Sequence, residues 1–288
     1  MKLIFSIYLM LFSVALFSQT RVYSGSINNK PITLTTYCFS DNYSSALYIQ
    51  GMLESPIKFE GHLSKKSLML IEQEHLIKDT LKFINYDPND SLIIVKWSSK
   101  LEKKELTLAL NKTSDFEYYD DNEFKNLELL QLESTEDHYF KLLVSKKSGE
   151  SPRVKGIKIL EKRTDRLIQE LSLNCDYSVL NNLNLGDFNF DGIQDFAVFE
   201  ASYTGDNASN IYILRNPESD NYFISNYHGT SLDFDYQNKI ISKRNSCCMG
   251  NQYSTAKYRV ENNEMVLISK ECYKYDPIKK DFVLVDCD

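Results

Sequence analysis

The feature that most constrains this chain is a succession of short segments in which apolar and polar residues alternate, cut at close intervals by turn residues. In the N-terminal third the segments are Val22 to Ile27, Ile32 to Tyr37, Ala46 to Gly51, Ile57 to Leu63, Ser67 to Gln73, Thr80 to Ile84, Leu92 to Trp97 and Glu105 to Leu110. Strand side chains point to opposite faces in turn, so period-two patterning predicts strands with one buried face. Between them sit Asn28-Asn29-Lys30-Pro31, Asp41-Asn42, Ser64-Lys65-Lys66 and Asp87-Pro88-Asn89-Asp90, residue types that tolerate or impose turns. Eight strands in so short a span suit a small antiparallel β barrel or sandwich, with Trp97 in its core.

The pattern lapses between Asn111 and Asn126, where Asp115, Glu117, Asp120, Asp121 and Glu123 crowd together. This reads as an acidic linker over 113–126, between an N-terminal β domain (20–112) and a C-terminal β domain (127–288); a solvated loop inside one domain is the competing reading. Beyond it the expected strands are Tyr139 to Ser145, Val154 to Leu160, Leu167 to Leu173, Phe196 to Ser202, Ile211 to Leu214, Tyr222 to Ser225, Ile240 to Lys243, Ala256 to Val260, Met265 to Ser269 and Phe282 to Val285. Glu161 to Arg166 supplies a polar hairpin turn, and Asn262-Asn263 supplies a two-residue turn, because asparagine accepts positive φ. The sole short helix candidate is Asn122 to Gln131, so the fold class is all-β.

Met1-Lys2 is followed by an apolar run from Leu3 to Phe17, the length of a signal-peptide core and short for a membrane span. Ser18-Gln19-Thr20 then turns polar, which predicts a signal peptide over 1–19, with a signal anchor as the alternative. No cysteine follows that could carry a lipid. The expected location is therefore periplasmic or secreted, with no transmembrane segment after cleavage. The 33 basic and 40 acidic residues give a net charge of −7, and the basic ones are scattered. A nucleic-acid partner is not expected.

The six cysteines, Cys38, Cys175, Cys247, Cys248, Cys272 and Cys287, would meet an oxidising compartment after export. Sequence leaves their pairing open. Cys272 with Cys287 is the best single pairing, because a terminal hairpin would bring the two side by side. Adjacent Cys247-Cys248 lack the CxxC or HxxxH spacing of a zinc site.

The sharpest chemical signal is Asp187-Phe188-Asn189-Phe190-Asp191-Gly192-Ile193-Gln194-Asp195. Calcium takes six to eight hard oxygens at about 2.3 to 2.6 Å, and acceptors at every second position of a sharply turned loop can wrap one ion. Asp187, Asn189, Asp191 and Asp195 supply side-chain oxygens, Ile193 its carbonyl, and Gly192 the positive φ of the turn. Where an EF-hand has its closing glutamate this chain has Val198, so Asp195 must supply the remaining carboxylate. Magnesium demands a tighter octahedron and suits the loop less. Three carboxylates in nine residues repel unless a cation holds them, so the ion is expected to stabilise the junction.

The stretch Leu185 to Arg215, with Gly186-Asp187-Phe188-Asn189-Phe190-Asp191-Gly192 and then Asp195-Phe196-Ala197-Val198, resembles the calcium-binding hairpins of FG-GAP, VCBS-like and integrin-propeller repeats, present here in one copy. The region from Val154 to the C-terminus looks like a family of exported bacterial envelope proteins with one such loop, through Tyr212-Ile213, Asn221-Tyr222-Phe223 and Glu264-Met265-Val266-Leu267. Tyr23-Ser24-Gly25-Ser26-Ile27 with Pro31-Ile32-Thr33-Leu34 looks like the small β module that often precedes such domains. The resemblance implies a propeller-like or sandwich β domain carrying one calcium loop. Some members of that family are periplasmic inhibitors or immunity proteins against lysozyme-like hydrolases.

No GxSxG, HExxH or phosphate-cradling glycine loop is present, and the four histidines, His62, His75, His138 and His228, stand in ordinary strand or turn settings. Asp233 and Asp235 could serve a glycosidase as a carboxylate pair, but pairs are common in a chain this acidic. The 19 tyrosines, with clusters at Tyr118-Tyr119, Tyr222-Phe223, Tyr227 and Tyr273 to Tyr275, suit a binding surface, although strands also favour tyrosine for its own sake. Asp206 to Asn210 is expected to form the loop presented beside the ion. The expectation is a non-enzymatic, calcium-stabilised binding protein with a protein partner in the cell envelope; the alternatives are a glycan-binding module or a cryptic hydrolase.

Overall fold

The computed structural model describes residues 18–51, 55–76, 78–99, 103–180, 182–204 and 207–287. The leader read over 1–19 lies outside them except for Ser18 and Gln19, which open the first strand opposite Phe39 and Cys38.

Strands β1 (Ser18–Ile27), β2 (Lys30–Phe39), β3 (Tyr43–Gln50), β4 (Ile57–Ser64), β5 (Ser67–Glu72), β6 (Thr80–Ile84), β7 (Leu92–Ser99) and β8 (Lys104–Glu117) each pair antiparallel with the next. β1 also pairs with β8, which closes the sheet into a barrel and leaves it no edge. The alternation read from sequence is the in-out alternation of the barrel wall. Tyr23, Leu34, Phe59, Leu68, Leu70, Leu81, Phe83, Val95 and Leu110 fill the interior, while Met69, Ile71 and Ile84 on the intervening positions face out. Trp97 is half-buried against that core and donates its indole N–H to Asp79 at 3.0 Å.

The rest of the chain forms three further antiparallel sheets, each a simple meander. The first contains β9 (Phe124–Ser134), β10 (His138–Lys146), β11 (Arg153–Glu161) and β12 (Leu167–Asp176). The second contains β13 (Leu183–Gly186), β14 (Asp195–Ser202), β15 (Ala208–Arg215) and β16 (Tyr222–Ile224). The third contains β17 (Leu232–Asp235), β18 (Ile240–Cys247), β19 (Gln252–Glu261), β20 (Glu264–Asp276) and β21 (Asp281–Val285). Successive four-stranded meanders are the unit from which propeller blades are built. The expected helix at Asn122 to Gln131 is instead strand: its leucines sit in β9 and pair with β10. Packing overrode the helix propensity of the Leu-Glu-Leu-Leu-Gln run, because Leu129 and Leu130 are almost wholly buried in two different apolar clusters.

Of the acidic stretch 113–126, β8 takes the start and β9 the end, so the residues from Tyr118 to Glu123 form the turn between them. The buried ammonium of Lys146 on β10 reaches Asp120 in that turn. Tyr37, Leu47 and Ile49 of the barrel share a cluster with Leu130, Tyr139 and Leu160 of the first sheet. The first and second sheets meet through Phe140 and Phe196, whose rings are 4.6 Å apart, within a cluster that also takes in Leu142, Ile157, Val198 and Ile213. Polar contacts reinforce this seam. Buried His138 shares a 2.9 Å hydrogen bond with the Tyr222 hydroxyl, and the Gln169 amide exchanges two hydrogen bonds with the Tyr222 backbone.

The second and third sheets meet through Phe188, Phe190, Tyr212, Leu214, Tyr227 and Ile241, with Phe234 and Tyr258 packed against them. The Asn262-Asn263 turn joins β19 to β20 with φ of 51° and 62°, as asparagine permits. Cys272 and Cys287 form a disulfide, with Cα atoms 5.3 Å apart, that ties the last residues to β20. Among the described residues no helix is long and apolar enough to cross a membrane.

Candidate metal centre

The loop from Asp187 to Gln194 connects β13 to β14, and its alternation of acid or amide with phenylalanine sets its shape. Phe188 and Phe190 turn into the seam between the second and third sheets, where Phe188 lies 4.9 Å from the Tyr212 ring and 4.8 Å from Phe234. With the aromatic positions anchored inward, Asp187, Asn189 and Asp191 gather on the other side of the loop. Phe190 and Gly192 carry φ of 62° and 91°. Gly192 meets nothing within 4 Å where a Cβ would stand, so the backbone conformation, not space, calls for glycine there.

The carboxylates hold the loop closed. Asp187 accepts the N–H groups of Asp191 and Gly192, each at 2.9 Å, one on each oxygen. Asp191 accepts the Ile193 N–H at 2.8 Å and the Asn189 side-chain amide at 2.9 Å. Asp195, the first residue of β14, has no exposed surface; its two oxygens accept the Phe188 N–H at 2.9 Å and the Arg215 N–H at 2.8 Å. One side chain thereby fixes the loop to the end of β15. Two turns of the third sheet clasp the loop from outside: Asn189 donates to the Asn263 side chain at 2.9 Å, and Lys239 Nζ donates to the Phe190 carbonyl at 3.0 Å.

The charge at this junction is unbalanced. Burial pushes the Asp195 carboxyl up to about 7; the Arg215 and Phe188 N–H groups pull it down, and the nearby Asp191 and Asp187 charges push it up again. The Arg215 guanidinium turns away to Asp137 and Asp220, 3.2 Å from each, and Lys239 is committed to a carbonyl. The Tyr227 hydroxyl, buried beside the same cluster, has no hydrogen-bond partner, and the Asp195, Asp191 and Asp187 charges add to the rise that burial gives it.

Among the described residues no three His, Cys, Asp or Glu side chains converge as a preformed metal cluster. The backbone bonds to Asp187 and Asp195 orient these carboxylates and leave each oxygen a further lone pair. Hard oxygen donors around a buried carboxylate that lacks a cationic side chain fit a calcium ion. Asp187, Asn189, Asp191 and Asp195, with the Ile193 carbonyl, are the groups that would hold it.

The other sequence candidates fall elsewhere. Asp206 lies outside the described residues, and the rest of the Asp206 to Asn210 segment is not beside the loop. β14 starts at Asp195 and ends at Ser202, so its two connections lie at opposite ends, about 23 Å apart at strand rise. Asn207 instead clamps onto β18, donating to the Ser246 carbonyl at 2.7 Å and accepting the Ser246 N–H at 3.1 Å. What adjoins the acidic loop is the connection after β15: Arg215 to Asp220 line a shallow pocket with Ile193. The alternating direction of successive strands in a meander was the signal that could have located it.

Asp235 caps the turn after β17, accepting the N–H groups of Gln237 and Asn238, and the Asn238 side chain and backbone hold its carboxyl below the usual range. Tyr222 and Tyr227 are core residues, whereas Tyr119 and Tyr275 are exposed. His75 is exposed and paired with Glu72, and His228 bonds the Asn226 carbonyl. The Tyr273 to Tyr275 cluster lies on an aromatic face at the far end of the third sheet, whose other members, Tyr253, Arg244, Phe282 and Leu284, sequence reasoning did not single out. There Tyr253 stacks on Tyr273 with centroids 4.7 Å apart, Arg244 lies 5.2 Å over the Tyr253 ring, and Tyr275, Phe282 and Leu284 continue the same face. Leu284 is 65% exposed, so this face has no cover within the described chain. No protein-family model matches the chain, and no curated protein matches it in sequence.

Proposed function

We propose that the chain is an exported, non-enzymatic binding protein of the cell envelope, stabilised by calcium at the loop Asp187 to Asp195, and that its partner is a protein. Inhibition of an incoming cell-wall hydrolase is the specific form that the resemblance favours. The observation that carries the binding reading is the uncovered face formed by β18, β19, β20 and β21. It combines stacked tyrosines, Phe282 and Leu284 with an arginine, the composition of energetically dominant interface centres. The calcium reading rests on buried Asp195, which no side-chain cation balances. The two are connected, because the loop clasps the turns of the sheet that presents the aromatic face.

The test is a cell-wall lysis assay with a lysozyme-type hydrolase, run with the calcium-loaded protein and with Tyr273→Ala and Phe282→Ala variants. The reading expects stoichiometric inhibition that weakens at least tenfold in the variants, the loss of about 1.4 kcal/mol or more of a central interface contact. Retention on insoluble peptidoglycan without inhibition would favour a glycan-binding module. Release of soluble fragments by the protein alone would favour a hydrolase.

A further inference from the structure

Adjacent residues in an extended strand point their side chains to opposite faces, so two consecutive cysteines at the end of a strand are normally far apart. Cys247 and Cys248 break that rule. Cys247 closes β18 in extended geometry, with φ −138° and ψ 178°, and the chain then enters a 3-10 turn, Cys248 to Gly250, in which Cys248, Met249 and Gly250 all take positive φ, at 57°, 56° and 81°. Positive φ at two consecutive non-glycine residues is disfavoured by Cβ contacts. It swings the Cys248 side chain back over Cys247 and leaves the two sulfurs 2.8 Å apart, inside the contact distance of non-bonded sulfur. Gln252 Oε1 stands 3.6 Å from each. Both sulfurs are exposed, whereas Cys38 and Cys175 are buried on separate strands. The turn joins β18 to β19, and within it the two sulfurs face each other.

We propose that Cys247 and Cys248 are a redox modification site, closing into a disulfide between neighbouring residues and reopened by thiols. The co-reactant is a small-molecule or protein disulfide, RS–SR. One cysteine thiolate attacks it, forming a mixed disulfide and expelling RS⁻; the other then displaces the second RS⁻ and forms the Sγ–Sγ bond. The two S–H protons end on the two RSH products, and two electrons pass from the protein to the reagent. The ring so closed contains the peptide bond between the residues and is small and strained. Strained, exposed disulfides are the readily reduced ones, so this bond opens before Cys272–Cys287, which joins two paired strands. Because the turn lies at the tip of β18 and β19, its state alters the surface beside Tyr253 and Arg244.

The full chain is equilibrated with oxidised glutathione, blocked with N-ethylmaleimide in denaturant and cut with trypsin. Cleavage after Arg244 and Lys257 isolates both cysteines on one peptide free of any other. The expected product is that peptide, unlabelled and lighter by two hydrogens than its dithiol. In Cys248→Ser the remaining cysteine is expected to carry glutathione. Graded reduction should then expose both thiols while the peptides holding Cys272 and Cys287 stay joined. Two maleimide labels, two glutathione adducts, or a link to Cys38 or Cys175 in the native chain would overturn the site. Prior opening of Cys272–Cys287 would overturn its lability.

Discussion

Cys272→Ser/Cys287→Ser is the perturbation whose effect follows most directly from the topology. The disulfide spans 15 residues, and loop-closure entropy for that length is worth about 3 kcal/mol at 25 °C. The loss should be local. β21 is the last strand of its sheet and pairs with β20 alone, and Phe282, Leu284 and Val285 carry substantial exposed surface, so little burial opposes its release. About 3 kcal/mol corresponds to roughly a hundredfold larger population of the opened hairpin. Native-state hydrogen exchange reads this strand by strand: amides of β21 and the facing half of β20 should lose about two decades of protection, while those of β10 and β11 keep theirs. Because that hairpin carries Tyr273, Tyr275 and Phe282, partner binding should weaken in the same variant. Unchanged exchange in β21, or an equal loss in β10, would refute the view of the last hairpin as a separately opening unit held by one covalent tie.

Other consequences concern the seams. Phe196→Ala removes a fully buried ring packed between Phe140 and Tyr222 and should cost about 3 to 5 kcal/mol in urea unfolding; a loss under about 1 kcal/mol would mean that the first two sheets do not depend on this contact. Lys146→Ala leaves Asp120 without the ammonium that pins the turn between barrel and first sheet, and about 3 kcal/mol should be lost, against little change if the pair is solvent-screened. Burial, aided by the Arg215 charge, holds the His138 imidazole below its ordinary value, so the folded state resists a proton that the unfolded state accepts. Stability should therefore be full above about pH 6.5 and fall as pH drops, by at most about 1.4 kcal/mol per unit from this group. His138→Gln should flatten that part of the urea-midpoint profile, and an unaltered slope would remove His138 as its source.

The strands plainest in the sequence are those with one solvent face, although buried runs such as β10 were also legible. In the barrel, each side chain on β5 and β6 either fills the interior or meets water, so alternation and breakers locate all eight strands. Each of the three later sheets begins with a strand that was missed, and each for its own reason. β9 packs against both barrel and second sheet, which spoils its alternation, and its leucines mimic a helix. β13 and β17 are four residues long, too short to show a period, and β17 alternates Leu and Phe with two aspartates that read as chemistry. The disulfide was legible because hairpin pairing is local. The acidic loop between β13 and β14 was legible as a turn because its spacing of acids, amide and glycine is itself the signal, but its surroundings were not. Asp195 meets Arg215 across the paired strands β14 and β15, and Asn189 meets Asn263 only through the packing of separate sheets.

The central claim is that the acidic loop is completed by a cation. Thermal unfolding of the native chain and of Asp191→Ala, each in excess chelator and then with calcium restored, tests it most directly. Calcium at about a hundred times its dissociation constant adds about 2.7 kcal/mol to a state that alone binds it. A rise in midpoint with calcium for the native chain, absent in Asp191→Ala, is the predicted result. A native chain whose midpoint is the same in chelator and in calcium would contradict it, and would leave the loop closed by its own hydrogen bonds alone.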